Sequence, residues 1–319
     1  MRNLYFVGVS TAHSSIMTIF PAWAKALGLS AEMRGIDLPL PARPDECRAV
    51  LDRIVADPDA AGALVTTHKA ALFDAAADRF TELDHWARLC REISCIAVRP
   101  SSICGSAKDP LTARQAYTWF LGEDPWADQP ADVVVLGAGG AGLALAVSIL
   151  GATNQPRRFV LVDKEPRRLD VARSAVAELD VRAATEFIVA PDAQITDALV
   201  AAARPGSLIV NATGMGKDLP GSPVSEDVLF PRGAVAWDMN YRGDLRFLQI
   251  ASAQAANRGV RAVDGWQYFL HGWTEVISEV FAIAIDDATF DELRAIAESI
   301  TGRRPAALNH LRSAEFSCD

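Results

Sequence analysis

Cysteine and histidine are scarce, five of each in 319 residues. The cysteines, Cys47, Cys90, Cys95, Cys104 and Cys318, are odd in number, form no CxxC pair and lie at no zinc spacing with a histidine. That excludes a disulfide scaffold and a structural zinc site and points to reduced, buried thiols; no metal is expected. A basic stripe is also missing: the net charge is -9, with acids and bases interspersed, so nucleic acid is excluded as a partner. Repeats and low-complexity tracts are absent. The apolar run in MRNLYFVGVS is too short for a signal peptide and has the pattern of a first strand, so a cytoplasmic location is expected. The nearest approach to a membrane span is the uncharged stretch Val133–Gly151, but four glycines at its centre and the lack of basic flanks argue against one.

What remains is a chain that is 50% hydrophobic and 22% charged, globular in composition and long enough for two domains with a substantial core. It is organised around Val133–Gly142, VVVLGAGGAG. Four β-favouring residues run into Gly137, Gly139 and Gly142 and then into the helix-forming run Leu143–Leu150, the order strand, tight turn, helix. The first glycine lets the chain turn, the second lets backbone approach a pyrophosphate, and the third lets helix and strand pack closely. The helix start then offers free N–H groups and partial positive charge to phosphates. Phe159–Val162 supplies a second apolar strand ending in Asp163, about 20 residues on, where a carboxylate can accept bonds from an adenosine ribose. The expected ligand is a dinucleotide.

Before that stretch, Leu4–Val9 reads as a strand, Ser10–Ser15 as a polar loop and Ile19–Leu29 as a helix; Met33–Leu38 is a short strand, Pro39–Pro44 a connection, and Asp45–Ala56 a helix with Asp45 as N-cap. Ala61–Thr66 is a third strand, running into Thr67, His68 and Lys69 at the end where ligands gather in open α/β sheets. Phe80–Leu89 is read as helical, Ile93–Val98 and Ser102–Ala107 as paired short strands, Asp109–Pro110 as a loop opening, and Thr112–Phe120 as a helix. Gly122–Pro130 is the clearest linker. Beyond it, strands at Val133–Leu136, Phe159–Val162, Phe187–Val189, Leu208–Asn211 and Ala234–Met239 alternate with helices, which implies a parallel, doubly wound sheet. Helices at Gln267–Ile285 and Phe290–Thr301 follow. The expected α/β architecture is an N-terminal substrate domain over residues 1–111, a Rossmann dinucleotide-binding domain over 112–266, and C-terminal helices over 267–319 that return to the first domain.

Two residues carry chemistry. Lys69 follows an apolar strand, where an amine is costly unless it faces a cleft, and Asp109 lies in the small-residue neighbourhood GSAKDPLT. Facing each other beside a nicotinamide, they can manage an alcohol's proton, the ammonium stabilising alkoxide character and the carboxylate orienting the lysine. An ordinary salt bridge between loops is the alternative.

Several stretches resemble the shikimate dehydrogenase family across almost the whole chain. GALVTTHK (Gly62–Lys69) resembles GxNVTxPxK, which ends in that family's catalytic lysine; GSAKDP (Gly105–Pro110) resembles GxNTDG, whose aspartate partners it. VVVLGAGGAG matches the nucleotide loop, Val210–Gly216 resembles the NATPxG segment near the nicotinamide, Asp238–Tyr241 matches DMxY, and Asp264–Gly265 matches the DG before the last helices. The resemblance implies an NAD(P)-dependent alcohol dehydrogenase with Lys69 and Asp109 catalytic. It implies a cofactor held by Gly137, Ala138, Gly139, Gly140, Ala141, Gly142, Asp163, Lys164, Asn211, Ala212, Thr213, Gly214, Met239 and Gly265.

Departures concentrate in the substrate pocket. The family's HSxSP stands here as His13–Met17, which keeps Ser14 and puts Ile16 at the second serine; the asparagine of the lysine motif aligns with Leu64, and that motif is one residue short. GAVNT aligns with Arg91–Cys95, placing Ser94 at the asparagine, while NT of NTDG becomes Ala107 and Lys108 and the final-helix glutamine aligns with Gly272, beside His271. Candidate substrate contacts are Ser14, Thr66, Ser94, Lys108, Tyr241 and His271, with His271 alternatively a satisfied helix histidine. His13, His85 and His310 read as structural or exposed. A site lacking partners for a substrate's hydroxyls and carboxylate loses discrimination for it, so the expected substrate is a small polyhydroxylated, cyclic compound other than shikimate. Open alternatives are a shikimate or quinate dehydrogenase with a rewritten pocket and a nucleotide-dependent metabolite sensor without catalysis. Family members using NADP commonly have Asn-Arg-Thr where Asp163-Lys164 stands; Asp163 favours NAD, and Lys164, Arg167 and Arg168 are the counter-argument for NADP. Beyond substrate and cofactor, a homodimer is the association left open.

Overall fold

Residues 1–127, 131–217 and 219–303 are described in the computed structural model. The first part of the chain forms β1 (Arg2–Gly8), α1 (Ile16–Ala26), β2 (Ala31–Asp37), α2 (Pro44–Ala56), β3 (Ala60–Val65), α3 (Lys69–Ala76), β4 (Glu82–Leu83), α4 (His85–Cys90), β5 (Cys95–Val98), β6 (Ile103–Ser106) and α5 (Asp109–Leu121). Then come β7 (Asp132–Leu136), α6 (Gly140–Leu150), β8 (Arg158–Asp163), α7 (Pro166–Val176), β9 (Ala184–Val189), α8 (Ala193–Ala201), β10 (Leu208–Asn211), β11 (Val235–Asp238), α9 (Arg246–Ser252), α10 (Ala255–Arg258) and β12 (Arg261–Val263). Two further helices, α11 (Trp266–Phe281) and α12 (Asp287–Thr301), end the described chain.

Side-chain alternation along single strands sets the layers. In β1, Leu4 and Phe6 face a core shared with α1, α11 and α12, while Tyr5 and Val7 face one shared with α2 and α3. In β7, Val133 and Val135 face α6 and α7, while Val134 and Leu136 face the layer holding Val200 and Phe247. Each sheet is therefore covered on both faces, and its central strands are buried and mostly apolar. The first sheet has six strands in the order β2-β1-β3-β5-β6-β4, parallel from β2 to β3 and antiparallel across β3–β5 and β5–β6. The second has the order β12-β11-β10-β7-β8-β9, parallel throughout. Its strand order reverses at β7, so the crevice beyond the carboxyl ends of β7 and β10 is where an open α/β sheet takes ligands.

Helix α11 lays Trp266, Leu270, Trp273, Ile277 and Val280 on the first sheet, and Trp23 of α1 donates from its indole N–H to Leu293 O of α12 at 2.7 Å. Each such side chain, fully buried, contributes about 1.5–3 kcal/mol.

Several local expectations need correction. Phe80–Leu89 is not one helix: Phe80 is extended, β4 follows, and Asp84 starts α4 by accepting from Ala87 N at 2.6 Å. A carboxylate so placed satisfies free N–H groups of a new helix and stops an earlier one running through. Arg43, not Asp45, caps α2; Pro44 takes the first helical position and Glu46 accepts from Arg43 N at 2.8 Å. Helix α5 begins at Asp109, earlier than Thr112, because Pro110 sits in a first turn that needs no N–H from it. The edge strand β12 has no counterpart in the sequence reading. Residues 128–130 of the Gly122–Pro130 linker, His310 and Cys318 lie outside the described residues.

Candidate active site

Strand β3 is buried along its whole length, and its exit is fixed by Thr66, whose N–H and hydroxyl both donate to Val7 O, at 3.0 and 3.2 Å. His68, 2% exposed, lies with its ring Nε2 3.2 Å from Leu38 O, so it serves the framework. That pinned turn starts α3 at Lys69. Two strands away in the same sheet, β6 leads to Asp109 as the first residue of α5, where the helix N-terminus favours a carboxylate. The Lys69 ammonium donates to Asp109 Oδ2, with the two side chains 22% and 11% exposed. This is a largely buried pair, not a surface salt bridge between loops. Tyr268 of α11 donates its hydroxyl to the same Oδ2 at 2.9 Å.

A fourth group stands beside them. Glu92, in the turn after α4 where Arg91 takes a left-handed conformation, is 2% exposed, and its Oε1 has no hydrogen-bond partner. Burial, reinforced by the charge of Asp109 and opposed by Lys69, lifts its carboxyl to about 8. Burial alone would lower the pKa of Lys69, but Asp109 and Glu92 outweigh it and hold the amine above its ordinary value. Burial, then those same two carboxyls, raise the Tyr268 phenol well above its usual range, so it remains a donor. Motif reasoning missed both Tyr268 and Glu92. The signal for Glu92 was an acid at the alanine of GAVNT; Tyr268 left none.

The dinucleotide crevice is shaped by glycine. Gly137 turns with φ +106°, and a β-carbon there would come within 2.9 Å of the Ala212 carbonyl; one at Gly142 would lie 1.9 Å from Gly137 O. A β-carbon at Gly139 would meet nothing within 4 Å. The turn is thus tight behind and open in front, a shape that fits a pyrophosphate against the first N–H groups of α6. Opposite, Asn211 Oδ1 accepts from Thr213 N and Oγ1 at 3.0 and 2.6 Å, and its amide donates to Asp238 Oδ2 at 3.0 Å. These side chains stiffen the loop after β10 so that its backbone, Ala212 and Gly214 included, is presented to the crevice. Gly265 packs so closely on Met239 that a β-carbon would sit 2.1 Å from Met239 O.

Four of the expected ligand residues have partners within the fold. Asp163 is not a free carboxylate: Oδ2 accepts from Ala138 N at 2.7 Å, Oδ1 accepts from Glu165 N at 2.9 Å, and Arg168 lies 3.6 Å away. Ser94, 3% exposed, accepts from Lys108 N at 2.7 Å and so ties β5 to the start of α5. Lys108 pairs with Glu279 of α11, which also accepts from Ser106. His271 stacks flat on Phe290 of α12, ring centroids 4.0 Å apart, and burial lowers it to about 4, so it stays neutral. Ser14 ends the single 3-10 turn before α1 and is half-buried. Tyr241 is half-buried, its ring 4.4 Å from Phe269. Among the described residues no cluster of histidine, cysteine or carboxylate groups could hold a metal, and no helix is long and apolar enough to cross a membrane.

No family model matches the chain. A curated shikimate dehydrogenase (NADP(+)) from Methylocella silvestris is 27% identical over 300 residues, covering 92% of this chain and 95% of its own. One from Caulobacter vibrioides is 36% identical over 140 residues, 44% of each chain. Among solved structures, quinate dehydrogenase from Corynebacterium glutamicum in complex with NAD superposes with a TM-score of 0.72 at 21% identity, covering 93% of this chain and 99% of its own. Shikimate 5-dehydrogenase from Thermus thermophilus, in complex with NADP(H) and shikimate, gives 0.68 at 22% identity over 93% and 100%. A 5-ketofructose reductase of Gluconobacter gives 0.67 at 19% identity over 94% and 98%. The chain thus shares its two-sheet fold with these structures and is similar over nearly its whole length to a curated shikimate dehydrogenase, from which it diverges in sequence.

Proposed function

We propose that the chain is a nicotinamide-dependent dehydrogenase that moves a hydride to or from the carbinol carbon of a small polyhydroxylated substrate, with Lys69 and Asp109 handling the proton. The observation that carries this reading is the buried ion pair at the carboxyl end of β3, joined by the Tyr268 hydroxyl and linked through Glu92 to the glycine turn. The nicotinamide, when bound, supplies or accepts the hydride. Lys69, protonated, gives its proton to the oxygen of a carbonyl being reduced and is left neutral; in the reverse sense the neutral amine takes up the proton that the alcohol gives up as the hydride leaves its carbon. Asp109 fixes the amine's direction, and Tyr268 fixes Asp109. The low exposure of the pair strengthens each of these interactions.

The cofactor argument changes with Asp163. Its oxygens are engaged within the turn, while Lys164, Arg167 and Arg168 are exposed at the same corner. Lys164, Arg167 and Arg168, against Asp163 and the exposed acids Glu165 and Asp170, leave cations to meet a 2′-phosphate, and together with the likeness to curated NADP(+) shikimate dehydrogenases this favours NADP over NAD. The substrate is read as a cyclic polyol other than shikimate. Ser94 and Lys108 are engaged in the framework, and Ile16, at the second serine of HSxSP, is fully buried, which removes partners for a ring carboxylate and hydroxyls.

Lys69→Ala is expected to cut turnover by about 10²–10⁴-fold with dinucleotide affinity unchanged. Turnover near that of the unaltered protein would remove the lysine from the reaction. Following nicotinamide absorbance with a panel of cyclic polyols, shikimate and quinate among them, tests the substrate class; shikimate as the best substrate would overturn it.

A further inference from the structure

Glu92 bears on the pair above through its charge, and it also stands against the start of the second sheet's first helix. Its Oε1 is buried and unpartnered, and its Oε2 lies across the cleft against the first residue of α6, only 3.1 Å from where a β-carbon on Gly140 would be. The carboxyl is thus aimed from the first sheet's side into the start of the one helix whose N–H groups face the glycine-turn crevice. A helix start attracts anions, but a second fixed negative charge there would oppose a diphosphate.

We propose that Glu92 is a cofactor-contacting residue that, carrying its proton, donates a hydrogen bond to the pyrophosphate of the dinucleotide at the start of α6, so that cofactor binding is coupled to that proton. This rests on the reading of the glycine turn as a dinucleotide site. A neutral carboxyl is a donor, and losing the proton exchanges a hydrogen bond for a repulsion. The groups acting on Glu92 favour the neutral form. Asp109 on α5 and Asp84 at the start of α4 repel its charge, and Lys69 on α3 is the cation that opposes them. Cys90 on α4 and Tyr268 on α11 are kept uncharged by burial, and α6 contributes the backbone of Gly140. Burial completes the effect and brings the carboxyl's titration to about 8.

The test is a fluorescence titration of the full chain with NADPH and with NADH from about pH 7 to about pH 9.5, a range in which a 2′-phosphate, with its second pKa of about 6, is already ionised. For the unaltered protein, the dissociation constant should hold level near pH 7 and climb by up to about tenfold per pH unit beyond the Glu92 titration. In Glu92→Gln, which keeps a donor but cannot ionise, it should stay flat. The same pH profile in both proteins would overturn the proposal. Calorimetry on the unaltered protein near pH 8.5, in buffers of different ionisation enthalpy, gives an answer that does not depend on the variant folding: proton uptake on binding supports the coupling, and none sinks it. Failure of both dinucleotides to bind at any pH would instead overturn the dinucleotide reading, and this proposal with it.

Discussion

Asp109 receives two hydrogen bonds on one oxygen, from an amine and from a phenol, and neither donor is able to leave without exposing a buried charge. Its neighbours were unevenly legible. Lys69 and Asp109 follow strand ends, and strand ends are readable from apolar runs. Glu92 stands in a four-residue link between α4 and β5 with no periodicity to betray which way it points, and a bare sequence does not say that a carboxyl there is enclosed. At Ser94 and Asp163 the sequence does not show that backbone N–H groups already reach their oxygens, which the structure does. On the proposed NADP reading, the exposed cations beside Asp163 select the dinucleotide. The double variant Lys164→Ala, Arg168→Ala should lower kcat/KM for NADPH by at least about tenfold, since charge-assisted bonds to phosphate are each worth about 1.5–3 kcal/mol, and leave NADH within about twofold. An NADH preference in the unaltered protein would return the assignment to NAD.

At the level of elements, strand, turn and helix at β7 and α6 could be read directly, because apolar runs and glycines are local signals. The boundaries that failed include the starts of α4 and α5, where a single side-chain bond or a proline resets the first turn, and the ends of α1 and α11, which stop before the expected Leu29 and Ile285. The glycines of the turn differ in what they do. Gly139 has φ -71°, ordinary for any residue, and open space in front; Gly142 has Gly137 O where its β-carbon would be. Gly142→Ala should therefore lower the melting temperature, costing about 1–3 kcal/mol of stability, and weaken dinucleotide binding. Gly139→Ala should melt with the unaltered protein. Equal melting temperatures for the two variants would show that the turn yields more than its geometry implies.

Across the whole molecule, α11 is the member that both sheets depend on. Its Tyr268 reaches Asp109 and lies edge-on to Trp237 of β11, while Trp273 packs edge-on to Phe6 of β1, ring centroids 5.1 Å apart. Trp273→Ala should destabilise the fold by about 3–5 kcal/mol, measured as a lower urea midpoint; a loss under about 1 kcal/mol would mean the first sheet's core closes without it. The apolar period of α11 was visible in the sequence, but the surface it covers was not, since that surface is made by strands and a helix from the opening part of the chain, far earlier in the sequence.

That separation matters during synthesis. Leu4, Phe6, Phe20 and Trp23 leave the ribosome long before the helices that cover them, so the emerging chain carries a bare greasy face through most of translation. Domains assemble in order of emergence, and here the glycine-turn sheet is finished first while the opening sheet waits for its roof. Such a nascent polypeptide is a natural client for holding chaperones, and fragments truncated before Trp266 are expected to collect in inclusion bodies.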